Sequence, residues 1–252
     1  MNIAIVTGAS SGLGREFVRQ IESVYKNIDE IWVIARRKER LEKLKMRSRV
    51  TIHVLDGDLT QENIYERLAY ELRTKGARVR MLVNASGFGK YGLISSLETK
   101  DMLGMIDVNC KSLTKMTLVC LPYMSRGSRI IQVASAAAFT PQPKFTIYAA
   151  TKAYVLRFSL GLREELKKKG IWVTTLCPGP VKTEFFQVAG PAQKLTKEEF
   201  MSEAEEVVRR GLIASIEKKP LCVFGPFMKA FYVASSIFPD TLTAKALQLF
   251  NN

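Results

Sequence analysis

Apolar residues come in short, evenly spaced runs along this chain. Ile3, Ala4, Ile5 and Val6 form the first, and runs at 31–35, 50–55, 80–83, 130–134, 171–177 and 221–224 repeat its character. Short runs rich in Val and Ile, with few charges, predict strands covered on both faces, as in a parallel sheet. The stretches between them change period. Residues 15–21 put Phe17, Val18 and Ile21 on one side of a helix, and helical patterns recur at 61–75, around Asn109, at 148–169 and at 202–217. Strand and helix in regular alternation predict an α/β protein, with a single doubly wound parallel sheet (a Rossmann fold) and helices on both faces. One domain across 1–252 is expected. Its end, about 225–252, is an apolar helical tail. Gly225-Pro226 and Lys229 interrupt 221–238, which is otherwise nearly uncharged and close to the shortest length that spans a membrane. Pro226 and Pro239-Asp240 are helix starts. Phe227, Phe231, Ala234 and Phe238 share one side, with Met228, Tyr232 and Val233 on others, so the helix is apolar all round. Burial against a cleft or a neighbouring subunit is expected, and membrane association is not.

In open α/β sheets the carboxyl ends of the strands carry the chemistry. After the first run comes Thr7-Gly8-Ala9-Ser10-Ser11-Gly12-Leu13-Gly14, and a helix follows it directly. Strand, glycine loop and helix in that order suit a pyrophosphate at the helix N-terminus, with Gly8, Gly12 and Gly14 permitting close backbone approach. The second run ends at Arg36 and Arg37, where an NAD site would place a carboxylate against the ribose 2′-hydroxyl. Two guanidiniums suit a 2′-phosphate instead, which predicts NADP(H) over NAD(H). The third run leads into Asp58 and Leu59, where Asp58 either accepts from an adenine amino group or caps the following helix. Asn84, Ala85, Ser86 and Gly87 follow the fourth run, small enough to let a nucleotide lie against the backbone.

Ser135 closes the fifth run, and Tyr148 and Lys152 open the long helix after it. Four residues apart, the last two share a helix face, about 6 Å along the axis. A free phenol has a pKa of about 10, and a cation held beside it favours the phenolate, suiting Tyr148 to acid–base work. Ser135 is placed to hydrogen-bond the oxygen whose charge changes. Asn109, among Ile106, Val108 and Leu113, needs polar partners, as a member of a proton relay or as a satisfied structural residue. Pro178, Gly179 and Pro180 break the sixth strand, and Phe185 and Phe186 in the irregular stretch 181–194 offer a lid over an apolar substrate.

The formal charge of +14 is densest at 36–49, where eight Lys and Arg side chains face only Glu39 and Glu42. Such a patch attracts anions. A phosphorylated cofactor and an acidic carrier protein fit it, whereas no recognition helix or aromatic–basic interleaving points to nucleic acid. The remainder of the patch reads as a solvated helix face. Cys110, Cys120, Cys177 and Cys222 are scattered, which points to reduced thiols and a reducing, cytoplasmic setting. His53 is the single histidine, so neither a histidine metal site nor a Ser-His-Asp triad is expected. No signal peptide is read, because the first strand begins at once.

Taken together, these motifs resemble the short-chain dehydrogenase/reductase family, over essentially all of the chain to about residue 224. The loop from Thr7 to Gly14 is similar to the family's cofactor loop. Asn109, Ser135, Tyr148 and Lys152 fall in the order and spacing of its catalytic tetrad, and the segment Pro178-Gly179-Pro180-Val181-Lys182-Thr183 resembles its Pro-Gly segment. One departure stands out: Asn84-Ala85-Ser86-Gly87 replaces the usual Asn-Asn-Ala-Gly. The resemblance implies hydride transfer between NADP(H) and a carbonyl carbon, with Tyr148 donating the proton and Ser135 orienting the oxygen. Lys152 would hold the nicotinamide ribose and lower the Tyr148 pKa, Asn109 would position water, and Val181 and Thr183 would meet the carboxamide and a phosphate. Homodimers or homotetramers are implied too, formed through the helices carrying Asn109 and Tyr148, with the stripe Val155, Phe158, Leu162, Leu166 as added apolar surface or as ordinary core. Apolar and aromatic loop residues (Phe88, Tyr91, Phe145, Phe185, Phe186) favour a small lipophilic substrate, steroid-like or 3-oxoacyl. A non-catalytic NADP-binding regulator is the alternative.

Overall fold

The computed structural model describes residues 1–190 and 201–251, with side chains to 248. Seven strands form one parallel sheet: β1 (Asn2–Thr7), β2 (Glu30–Ala35), β3 (Thr51–Asp56), β4 (Arg78–Asn84), β5 (Arg129–Val133), β6 (Trp172–Cys177) and β7 (Leu221–Val223). Their order is β3-β2-β1-β4-β5-β6-β7, so the direction of winding reverses between β1 and β4. That switch opens a crevice at the carboxyl ends, beside Thr7 and Asn84, which pair across it.

Successive strand residues point to opposite faces. Ala4, Val6, Ile31 and Val33 pack with Phe17, Val18 and Ile21 of α1 (Gly12–Val24), Leu41 and Leu44 of α2 (Lys38–Lys45), and Val207, Val208 and Leu212 of α8 (Ala204–Ile216). Ile3, Ile5, Trp32 and Ile34 face the other way. There they meet Leu68 and Leu72 of α3 (Asn63–Thr74), Met116 of α5 (Leu113–Cys120) and Leu166 of α6 (Thr146–Lys167). Each such side chain, fully buried, contributes about 1.5–3 kcal/mol. Both faces need cover, which is why the runs are continuous rather than alternating.

Several boundaries differ from the sequence pattern. The long helix begins at Thr146, before Tyr148, and ends at Lys167. The helix of Asn109 is three pieces: α4 (Thr99–Ile106), a π-helical turn Asp107–Ser112, and α5. A short α7 (Phe185–Ala189) occupies part of the irregular lid stretch, whose residues 191–194 lie outside the described ones. Of the stripe Val155, Phe158, Leu162 and Leu166, Val155 and Leu166 are buried in the protomer's core, while Phe158 and Leu162 pack against it and stay part-exposed.

The tail forms α9 (Pro226–Ile237) and α10 (Asp240–Asn251), and within the single chain the burial of α9 is confined to one edge. No α9 residue is buried; Phe227 is 75% and Ile237 71% exposed. One edge alone docks, with Phe231 and Tyr232 on the ring of Phe139 and Met228 against Gly179. The cause is position: β7 is the last strand of the sheet, so α9 has a neighbour on one side only. No described helix is long and apolar enough to cross a membrane.

Candidate active site

Ser135 follows β5 in extended conformation and caps the 3₁₀ turn Ala136–Phe139, accepting a hydrogen bond from the Ala137 N–H at 3.1 Å. The Ala136 N–H donates to the Pro178 carbonyl, which ties this turn to the Pro-Gly segment. Tyr148, in the first turn of α6, is 7% exposed and shares a hydrogen bond with the Ser135 hydroxyl. Its ring stacks on Phe145 at 4.3 Å and meets Phe185 of α7 at 5.3 Å. Lys152 lies one turn on, 4% exposed, its ammonium 5.7 Å from the centre of the Tyr148 ring and donating to the Val133 carbonyl at 2.9 Å. Ser135, Tyr148 and Lys152 thus converge, with the rings of Phe145 and Phe185 packed on Tyr148.

Burial governs the titration here. It pushes the Tyr148 phenol up to about 12, against the Ser135 hydrogen bond, and brings the Lys152 ammonium down to about 8. The expected lowering of the Tyr148 pKa by Lys152 is therefore not realised in this structure; loss of solvent outweighs a cation that faces the ring and a backbone carbonyl.

Asn109 is wholly buried in the π turn, where its side chain is fully used. Its Oδ1 accepts from the Phe88 N–H at 3.0 Å, and its Nδ2 donates to the Phe88 carbonyl and to Thr151 Oγ1. A Cβ on Gly87 would stand 2.9 Å from Asn109 Oδ1 and 3.3 Å from the Lys152 ammonium. Asn109 thus stitches the loop after β4 to α6 around Lys152. π turns are frequent at such places.

The glycine loop fits a dinucleotide. A Cβ on Gly14 would meet the Gly8 carbonyl oxygen at 2.3 Å, and one on Gly8, at φ +69°, would meet the Ala85 oxygen at 2.9 Å. Ala85 and Ser86 donate backbone N–H groups to Thr7 Oγ1, and the methyl of Thr183 lies against Gly12. No side chain caps α1, so its first N–H groups remain for an anion. The hydroxyl of Ser11 accepts from Arg37 instead, at 2.6 Å, and Ser10 accepts from Arg37 Nε at 3.2 Å.

The two arginines separate. Arg37 lies over the glycine loop, whereas Arg36 is 78% exposed and 4.0 Å from Asp58. Sequence reasoning gave no role to two residues beside them. Glu184, the residue before α7, accepts from Arg37 at 2.8 Å and from Arg40 at 2.6 Å. These guanidiniums hold its carboxyl below the usual range, Arg37 most of all. Arg40 was legible as the residue one turn beyond Arg37 on α2; Glu184 carried no local signal.

Four residues expected at the cofactor make contacts within the protein. Asn84 turns its side chain into the core, donating to Gln132 and Thr117. The Leu59 carbonyl is taken by the hydroxyls of Tyr65 and Ser112. Asp58 caps no helix: it accepts from the backbone and hydroxyl of Thr60, and Glu62 precedes α3. Val181 is buried and bridges to Ser202.

The family described as short chain dehydrogenase matches residues 2–194. This chain belongs to the short-chain dehydrogenase family. It is 30% identical to the 17-beta-hydroxysteroid dehydrogenase type 3 of Danio rerio over 220 residues, 82% of this chain and 70% of that protein. It is 32% identical to the very-long-chain 3-oxoacyl-CoA reductase of Anas platyrhynchos over 213 residues, 80% of this chain and 67% of that one. Among solved structures, the short-chain dehydrogenase from Sphingobium yanoikuyae in complex with NADPH superposes with a TM-score of 0.78 at 26% identity, covering 100% of this chain and 96% of that one. Family membership makes the chain an oxidoreductase.

Proposed function

We propose that this chain reduces a lipophilic ketone with NADPH, and oxidises the matching alcohol in reverse. The observation that carries the reading is the convergence of Ser135, Tyr148 and Lys152 at the mouth of β5, with the rings of Phe145 and Phe185 packed on Tyr148. Bound NADPH supplies the hydride. Tyr148, kept protonated at neutral pH by burial, donates its phenolic proton to the carbonyl oxygen. The Ser135 hydroxyl hydrogen-bonds the same oxygen. Lys152, positively charged at neutral pH, favours the phenolate that Tyr148 leaves behind and holds the nicotinamide ribose. Asn109 positions Lys152 by fixing the loop at Gly87 and Phe88.

The glycine loop with Gly8, Ser10, Ser11, Gly12, Leu13 and Gly14 would hold the pyrophosphate, and Arg37 with Arg40 the 2′-phosphate. Phe145 and Phe185 beside Tyr148, with Phe139, Phe231 and Tyr232 beyond Ser135, support a bulky apolar substrate, steroid-like or 3-oxoacyl. An acidic carrier presenting the acyl chain suits the basic surface. Four free cysteines support a reducing, cytoplasmic setting. Leu103, Ile106, Leu118 and Tyr154, exposed on the helices that flank Asn109 and follow Tyr148, support a homo-oligomer, which sedimentation would detect.

The deciding test follows NADPH absorbance with a series of ketones of rising apolar size. Turnover rising with size supports the reading. Turnover confined to small polar carbonyls, or absent throughout while NADPH binds, overturns it, the second result in favour of a non-catalytic binder.

A further inference from the structure

Residues 184 and 185 are neighbours in sequence but reach both ends of the cleft. Glu184 sits on Arg37, which stands over the glycine loop, and on Arg40, while Phe185 sits on the ring of Tyr148. The carboxylate is an anion held by two guanidiniums, one of them also bonded to Ser10 and Ser11. A ribose 2′-phosphate needs those same donors. The two anions cannot share them without bringing negative charges together. The exchange is feasible because the pairs are partly solvated: the Glu184 side chain is 36% exposed and that of Arg37 44%. Such pairs are worth little individually, so a dianionic phosphate with several acceptor oxygens can displace them.

We propose that Glu184 is a specificity-determining residue for the cofactor, an internal anion that competes with the 2′-phosphate for Arg37 and Arg40. The inference rests on the reading of Arg37 and Arg40 as the phosphate site. Two consequences follow from the geometry. Glu184 lowers affinity for the phosphorylated cofactor by the fraction of molecules in which the arginines are already taken. It also ties cofactor entry to the substrate side: moving Glu184 off the arginines moves its neighbour Phe185, which covers Tyr148. NADH lacks the phosphate and leaves the ion pair in place.

The test compares wild type with Glu184→Gln and Glu184→Ala, titrating NADPH, NADH, and the fragments 2′,5′-ADP and 5′-AMP by fluorescence or calorimetry. Removing the competing charge is expected to tighten NADPH and 2′,5′-ADP by about tenfold, with NADH and 5′-AMP changed less than twofold. Inorganic phosphate is expected to raise the melting temperature of Glu184→Gln more than that of wild type, because two guanidiniums are then unpaired. If the variants bind 2′,5′-ADP no better, or worse, Glu184 is inert or instead aligns the arginines, and the proposal fails. Equal tightening of NADH assigns the effect to the lid and sinks it too. The underlying site is judged separately, in wild type. Equal affinity there for 2′,5′-ADP and 5′-AMP refutes the phosphate site and the proposal together; a clear preference with unchanged variants refutes the proposal alone.

Discussion

The two ends of the cleft run on opposite physics. Around Tyr148 and Lys152 the walls are rings and backbone, both groups are almost wholly buried, and loss of solvent moves both titrations. At the other end Arg37, Arg40 and Glu184 are part-exposed and ion-paired, and the carboxylate responds to its arginines first. Coulomb attraction is strong where water is excluded and weak, salt-screened and exchangeable where it is not. The first end suits an acid whose proton must stay until hydride arrives. The second suits a charge that comes and goes.

The largest effect that separates the ends is expected from Tyr148→Phe. The ring remains to stack on Phe145, so the fold and NADPH binding are retained, while turnover falls by about 10³-fold with the proton donor gone. Rates within tenfold of wild type would take the acid role from Tyr148. Next comes the titration of Lys152. Its folded pKa, about 8, lies below the free value of 10.5, so between those values the unfolded chain binds more protons. Stability against urea should therefore rise with pH from about 8 upward, relative to Lys152→Met, by up to about 3 kcal/mol at completion. The penalty is full below pH 8. Tyr148, Cys110 and Cys177, whose pKa values are raised by burial, are present in both proteins, so the stability they cost at alkaline pH enters both curves. Parallel pH curves for the two proteins would mean that the ammonium is solvated after all.

At the charged end, Arg37→Ala is expected to weaken NADPH about tenfold and to leave NADH nearly unchanged, with the difference shrinking as salt rises. Arg36→Ala, at a residue that faces solvent and Asp58, should change neither by more than about twofold. A reversed ranking of Arg36 and Arg37, read by titration at two salt concentrations, would return the phosphate site to the strand end as the sequence first suggested.

Much of this is legible in the sequence. Continuous apolar runs encode a sheet covered on both faces, and Gly8, Gly12 and Gly14 encode a turn that side chains would obstruct. Tyr148 and Lys152 were legible because one helix holds them both. Arg36 and Arg37 could not be told apart, since adjacent residues where a strand gives way to a helix point in different directions, which only the cap geometry of α2 decides. Glu184 was invisible for a different reason: it meets Arg37 across 147 positions of chain, and no periodicity encodes such a meeting. The rise of the Tyr148 pKa by burial was not legible, because spacing reports the neighbouring cation and says nothing of how much water is lost. The exposure of α9 in the single chain was not legible, because an apolar pattern does not report that β7 is the edge of the sheet.

The smallest expected effect marks where the dry end stops. Phe231 and Tyr232 pack on Phe139, in the turn that Ser135 caps, while Phe227, on the same helix, is 75% exposed. Removing a side chain that already stands in water loses little transfer free energy, so Phe227→Ser should change stability by no more than about 0.5 kcal/mol. Phe231→Ala removes part-buried contacts beside the cleft and should cost more, about 1–2 kcal/mol, and raise KM for a bulky ketone while sparing NADPH affinity. Urea unfolding of both variants at protein concentrations low enough to dissociate oligomers, together with KM on one large and one small ketone, separates the cases. A Phe227→Ser protein that loses as much as Phe231→Ala under those conditions would place Phe227 in a buried contact of the single chain, and the apolar wall would then extend along the whole of α9.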